Sequence, residues 1–166
     1  MGKSVNRVKQ AAATAGLEID IVTLPASART AQAAADALDC HVGQIVKSLL
    51  FEGRHTGALK LVLVSGAHEL DLGAAPEYFG EPLGRADPKR VRRETGFAIG
   101  GVAPVGHLCD IDTYMDDALF QHTTFWGAGG APETVFAVAP QALLKAARAQ
   151  IFTNGLIPRP SAAPAG

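Results

Sequence analysis

Near the amino end, apolar residues fall at Val5, Val8, Ala12 and Ala15, a spacing that lines one face of a helix, and Gly16 closes it. Residues 19–24 are rich in β-branched side chains and stop at Pro25, which predicts a strand. Thr30 is placed to cap a second helix carrying Ala31, Ala34, Ala35 and Leu38 on one face, so small that the helix can sit close to its neighbour. Residues 45–52 and 59–65 read as two strands joined by the loop Gly53-Arg-His-Thr-Gly57. The second of these is apolar on both faces, the mark of a central strand.

Further on, Asp87, Pro88 and Gly96 bracket a short helix as N-cap, first residue and terminator. A glycine-rich turn follows, Gly100-Gly-Val-Ala-Pro-Val-Gly-His107. Strands are predicted near residues 108–111, 122–126 and 134–138, and a last helix over residues 140–149. Helices and strands do not alternate regularly, so the pattern predicts an α+β fold with a mixed, strongly curved sheet.

The chain has 166 residues, enough for one domain with its own core and no need of disulfides. We expect that domain over residues 1–154, with a mobile Pro/Ala-rich tail over residues 155–166. No apolar run is long enough for a membrane span, and none near the amino end has signal-peptide character. Cys40 and Cys109 are too isolated for a disulfide framework or a zinc site, which fits a reducing cytoplasm. Net charge is −1, so any nucleic acid should be touched over a short stretch only.

Several motifs fail on inspection. Gly43-Gln-Ile-Val-Lys-Ser48 lacks the glycine that a phosphate loop needs before its lysine. Asp110, Asp112, Asp116 and Asp117 resemble a calcium loop, but Tyr114 and Met115 stand where a ligand and the turning glycine belong; a solvated acidic surface is the expectation. The five histidines show no metal-ligand spacing, and no Gly-x-Ser-x-Gly elbow occurs.

Two features remain. Lys47 interrupts the apolar strand Ile45-Val-Lys-Ser-Leu-Leu-Phe51, so it either snorkels to a wet face or faces a functional cavity. The turn Gly100-Gly101-x-x-Pro104-x-Gly106 is either an ordinary tight turn or a place where free N–H groups meet a carbonyl or phosphate oxygen. A third candidate is electrostatic: Lys89, Arg92 and Arg93 share one face of the helix after Pro88, either a merely solvated face or a contact for nucleic-acid phosphates.

Four stretches in order make the sequence resemble the YbaK-type aminoacyl-tRNA deacylases, relatives of the editing domain inserted in bacterial prolyl-tRNA synthetases. They are Thr30-Ala-Gln-Ala-Ala-Ala35, Gln44-Ile-Val-Lys-Ser-Leu49, Val64-Ser-Gly-Ala-His68 and Gly96-Phe-Ala-Ile-Gly-Gly-Val-Ala-Pro-Val-Gly-His107. The resemblance implies a strongly twisted, barrel-like mixed sheet surrounded by helices, enclosing a small pocket. It implies catalytic roles for Lys47 and Gly101 and substrate contacts from Thr30, Ser48, Ser65, Gly66, Gly100, Pro104, Gly106, His107 and Gly129, with Trp126-Gly-Ala-Gly-Gly130 on the pocket rim. It implies no metal, no cofactor and no protein nucleophile. Ser48 departs from the pattern, since relatives often carry Thr or Asn after the lysine.

The implied activity is hydrolysis of the ester in mischarged aminoacyl-tRNA bearing a small amino acid: Cys, Ala, Ser or Thr. The partners would be the acceptor end of that tRNA and a synthetase such as prolyl-tRNA synthetase. The competing expectation is a non-catalytic module that binds aminoacyl-tRNA or a synthetase without turnover.

Overall fold

The structure, a computed structural model, describes residues 2–155. The tail expected over residues 155–166 falls outside it except for Gly155, whose N–H donates to the Tyr78 hydroxyl at 2.7 Å. Five α-helices and eight strands are present among the described residues. Strand β2 (Val46–Gly53) forms an antiparallel hairpin with β3 (Leu59–Ser65). The short β4 (Leu83–Arg85) pairs with the far end of β2. On the other side, β5 (Asp112–Asp116) runs parallel to β3, and β8 (Gln150–Phe152) parallel to β5.

A second, antiparallel sheet joins β1 (Val22–Thr23), β7 (Thr134–Val138) and β6 (Phe125–Ala128). One parallel bridge, Ile45 to Trp126, links the two sheets. The α+β class with a mixed sheet is therefore present. The barrel-like closure is not: the strands stay in two sheets of five and three, because a single bridged pair cannot extend the ladder.

β3 is buried at every position, as its double-sided apolar pattern requires. On one face, Leu61 and Leu63 pack with Leu50, Met115, Phe97, Phe125, Phe136 and Leu143. Val8 of helix α1 (Lys3–Thr14) joins this cluster. On the other face, Val62 and Val64 pack with Tyr114, Phe79 and Phe152. A third cluster holds helix α2 (Ala31–Leu38) through Ala34 and Ala35 against Leu24 and Ile45, with Trp126 at its side. Helix α3 (Ala75–Phe79) supplies Phe79 to the second cluster, and α5 (Pro140–Ala146) supplies Leu143 to the first. No helix among the described residues is long and apolar enough to cross a membrane.

Three expectations are corrected. The strand over residues 19–24 shortens to Val22–Thr23. The one over residues 108–111 does not form, and Leu108 is exposed; the strand begins at Asp112 instead. The acidic stretch is not a uniformly solvated surface. Asp116 is fully buried, accepting the N–H of Ser65 at 3.2 Å and of Ala118 at 3.0 Å. Hydrogen bonds take the place of water around this carboxylate, which is what makes burial of an acid tolerable.

The β2–β3 hairpin loop is held by Glu81, which is buried and accepts from the N–H of His55 (2.8 Å) and Thr56 (2.9 Å) and from the Thr56 hydroxyl (2.8 Å). Lys60, also buried, lies 3.6 Å away. The Thr56 N–H and hydroxyl, then the other partners, pull the Glu81 carboxyl down to about 2 from 4.5. Its contribution to stability is complete above pH 4.5 and is lost as the pH falls toward about 2. Acid unfolding of the wild type should steepen across that window. Glu81→Gln should be less stable at neutral pH and flatter across the same range; parallel curves would contradict this.

Candidate active site

Alternation along β2 turns Lys47, Leu49 and Phe51 to the face of the second cluster, and Val46, Ser48 and Leu50 to the face of the first. Lys47 lies where β2 begins, level with Val64 near the carboxyl end of β3, and β5 ends at the same level. Its ammonium donates to the carbonyl of His68 at 2.5 Å and lies 3.6 Å from the almost fully exposed Glu69 carboxylate. The side chain is 27% exposed, so it snorkels from an apolar strand to the sheet's rim, where a solvent-borne ligand can reach it.

Ser48 points the other way. Its hydroxyl is buried and has no hydrogen-bond partner. Native structures leave few such groups. Among the described residues no strand makes a ladder with the outer edge of β2 between the bridge at Ile45 and the pairing with β4 from Phe51, although β6 runs alongside the start of β2.

The glycine-rich turn packs through Val102, Ala103 and Val105 into the first cluster, so its apolar residues and the Lys47 side chain lie on opposite faces of β2. Gly100 and Gly106 take φ of +90° and +86°, conformations that L side chains resist. Gly101 is buried and spends its N–H on Ala98 O at 2.9 Å, so any amide free for a ligand belongs to a neighbour. Pro104 sits against Gly127 of β6.

Arg7 of α1 locks the turn from behind. It donates to Gly106 O (2.9 Å) and Gly96 O (2.7 Å) and lies 4.7 Å from the centre of the Phe97 ring. His107 bonds to Ala103 O at 2.7 Å, and its imidazole is pushed below its usual pKa, first by burial and then by the Arg7 charge. A neutral strut inside the loop is the role these contacts give it. A groove of about 780 Å³ runs along the outer side of the turn, between the ends of α1 and α5, with Lys145 and Arg148 on its wall.

The remaining expected substrate contacts are structural in their visible bonds. The Thr30 hydroxyl accepts from Ala33 N–H as the N-cap of α2. Ser65 Oγ donates to Gly43 O at 2.9 Å. Gly66 leaves no room for a side chain, since a Cβ there would meet Val42 O at 2.5 Å and Ile45 O at 3.0 Å. Gly129 sits in the β6–β7 connection, its N–H on Thr134 O. Thus Lys47, Ser65 and Gly66 gather at one end of the sheet, whereas Gly106 and His107 belong to the loop bound by α1.

Helix α4 (Pro88–Thr95) has the expected caps in Asp87 and Gly96. Arg90 is tied to Glu94 (2.6 Å) and Glu52 (3.1 Å), while Lys89, Arg92 and Arg93 are exposed. The Arg90–Glu52 pair anchors α4 near the end of β2 opposite Lys47, about 17 Å along the strand at its usual rise.

No group of three His, Cys, Asp or Glu side chains among the described residues is arranged to hold a metal ion. The Cys40 thiol is pushed up by burial and then by the Asp39 charge, away from the thiolate a nucleophile requires.

Residues 25–146 match the profile of the aminoacyl-tRNA editing domain. The chain belongs to that family. A solved structure described as a "putative trans-editing enzyme for prolyl tRNA synthetase" superposes on this editing domain with a TM-score of 0.85 and 46% identity, covering 93% of this chain and 98% of the other. "Putative Cys-tRNA(Pro)/Cys-tRNA(Cys) deacylase EbsC" of Enterococcus faecalis is 27% identical over 127 residues, 76% of this chain and 73% of that one. Proline–tRNA ligase of Thermosipho melanesiensis is 36% identical over 90 residues, 54% of this chain but only 15% of the ligase.

One grouping escaped the sequence reading. His68 stands beside Lys47, and its ring approaches the buried Asp116. His68 lies inside one of the four stretches that carried the resemblance, but Asp116 looked like part of a solvated run, so the two were never joined.

Proposed function

We propose that this editing domain hydrolyses the ester of mischarged aminoacyl-tRNA carrying a small amino acid. The observation that carries the reading is Lys47, a part-exposed cation at the rim of the sheet, next in the chain to a buried hydroxyl that lacks a partner. The ammonium holds phosphate or ribose oxygens of the 3′-terminal nucleotide at the rim of the sheet. Amides of the glycine turn next to Gly101 stabilise negative charge on the carbonyl oxygen as water adds. The neighbouring 2′-hydroxyl helps to position that water, which gives RNA esters their advantage.

A small sieve is useful because an apolar pocket separates one methylene by only ~1–3 kcal/mol, so synthetases mischarge near-isosteres. Cysteine, alanine, serine and threonine are the expected acyl groups. The match to proline–tRNA ligase makes a prolyl-tRNA synthetase the natural partner.

The α4 patch extends the contact along the acceptor stem. Its distance from Lys47 corresponds to about five base steps at 3.4 Å each. If Lys89, Arg92 and Arg93 each meet a phosphate, log KM should rise with log salt with a slope of roughly 2–3, and the triple Glu variant should lose most of that slope. A salt response equally flat in both proteins would remove α4 from the interface.

A panel of tRNAs charged with Cys, Ala, Ser, Thr, Pro and Phe tests the function. Release of the small amino acids, with Phe-tRNA left intact, is the expected result. Tight binding to the same tRNAs with no release would identify a binding module instead.

A further inference from the structure

The reading above leaves one pair of side chains beside Lys47 without a task. His68 follows the turn after β3, and its carbonyl accepts the Lys47 ammonium, so ring and lysine are fixed to the same rim of the sheet. Its Nδ1 stands 3.6 Å from Oδ2 of Asp116. That carboxylate is fully buried and cannot swing, because Oδ2 holds the Ser65 N–H and Oδ1 the Ala118 N–H. The imidazole is 46% exposed; with Nδ1 turned to the buried acid, the part left to solvent carries Nε2. An imidazole with one nitrogen aimed at a fixed carboxylate and the other open is the arrangement a general base requires. Its Nδ1 distance is longer than a hydrogen bond, as such contacts often are before substrate tightens them.

We infer that His68, oriented by Asp116, is the general base of ester hydrolysis in this domain, an inference that rests on the deacylase reading. Water attacks the acyl carbon and gives its proton to Nε2, forming an imidazolium next to the Asp116 carboxylate. The tetrahedral adduct then collapses, the bond from the acyl carbon to the ribose 3′-oxygen breaks, and the imidazolium returns the proton to that oxygen. The products are the free amino acid and tRNA with its hydroxyl restored. The charged groups around this residue are Asp116 from β5 at the ring, Lys47 from β2 at the backbone carbonyl, and the adjacent Glu69, paired with Lys47. On the neighbouring turn, His122 lies against Gly43 and pairs with His41 at 6.5 Å between ring centres.

The test is single-turnover deacylation by the full chain, comparing wild type, His68→Gln and His68→Ala across the range in which an imidazole titrates. His68→Gln should slow release about 10²-fold or more at unchanged tRNA affinity, and should lose the acid limb of the pH profile. Added imidazole should restore part of the rate to His68→Ala. A folded His68→Gln within about twofold of wild type, with the same pH profile, overturns the inference and leaves the deacylase reading standing. A slow His68→Ala that imidazole does not restore, with its pH profile unaltered, overturns it as well, assigning the loss to a shift of the turn whose backbone holds Lys47. A wild type inert on every tRNA of the panel overturns both.

Discussion

Lys47→Ala should abolish measurable deacylation, a loss on the order of 10²-fold or more, while the chain stays folded. The size follows from what the ammonium does: it fixes the nucleotide, and an ångström of misplacement at a reacting ester is enough for such a loss. The fold should survive because Lys47 contributes little to it. Among the described residues its ammonium makes one hydrogen bond to His68 O and one contact with a solvent-exposed glutamate. Surface pairs of that kind are worth ~0–1 kcal/mol. Deacylation rate and thermal midpoint, measured on the same preparation, separate the two effects. Lys47→Arg keeps the charge but changes its shape, and should keep only part of the rate. A folded Lys47→Ala that works nearly as fast as wild type would remove this residue from the reaction.

Gly66→Ala should have the largest effect on stability. The added methyl would press on Val42 O at 2.5 Å and Ile45 O at 3.0 Å, and on the Ala31 side chain at 3.1 Å. Two of these neighbours are backbone and cannot rotate away. Overpacking of this sort costs about 1–3 kcal/mol, here with the further loss of the 2.6 Å bond from Gly66 N–H to Ile45 O. Ile45 leads directly into Lys47, so activity should fall beyond what the lower stability explains. Chemical denaturation at neutral pH checks the first effect, and activity at a temperature where the variant is fully folded checks the second. Wild-type values in both would mean that this turn yields more easily than its contacts imply.

Strong local chemistry was legible in the sequence. The helix between Asp87 and Gly96 appears as read, because cap, first-turn proline and terminating glycine each act within a few residues. Strands β3 and β7 likewise match, since their β-branched apolar runs fit no other burial. Short strands that borrow stability from neighbours were invisible: β4 and β8 have three residues each and no periodic signal. The sharpest misreading, Asp116, has a physical cause. A carboxylate bonded to two backbone N–H groups is buried because of partners distant in sequence, and composition alone suggests the opposite.

At the candidate site the sequence singled out Lys47 and the glycine turn, but it could not say how they are arranged. Strand alternation puts the lysine on one face of β2 and the apolar side of the turn on the other. Between its bridge to β6 at Ile45 and its pairing with β4 from Phe51, the outer edge of β2 has no ladder partner among the described residues. Several glycines and hydroxyls expected to touch substrate, among them Ser65, Gly66 and Gly129, also hold the scaffold by close packing or by backbone bonds.

The most direct measurement is side-chain and backbone NMR of the chain titrated with a 3′-aminoacylamido-3′-deoxyadenosine bearing alanine, whose amide resists hydrolysis. The account predicts shifts at the Lys47 ammonium, His68 and Ser48. Unmoved signals there, with shifts confined to Lys145 and Arg148 in the outer groove, would contradict it.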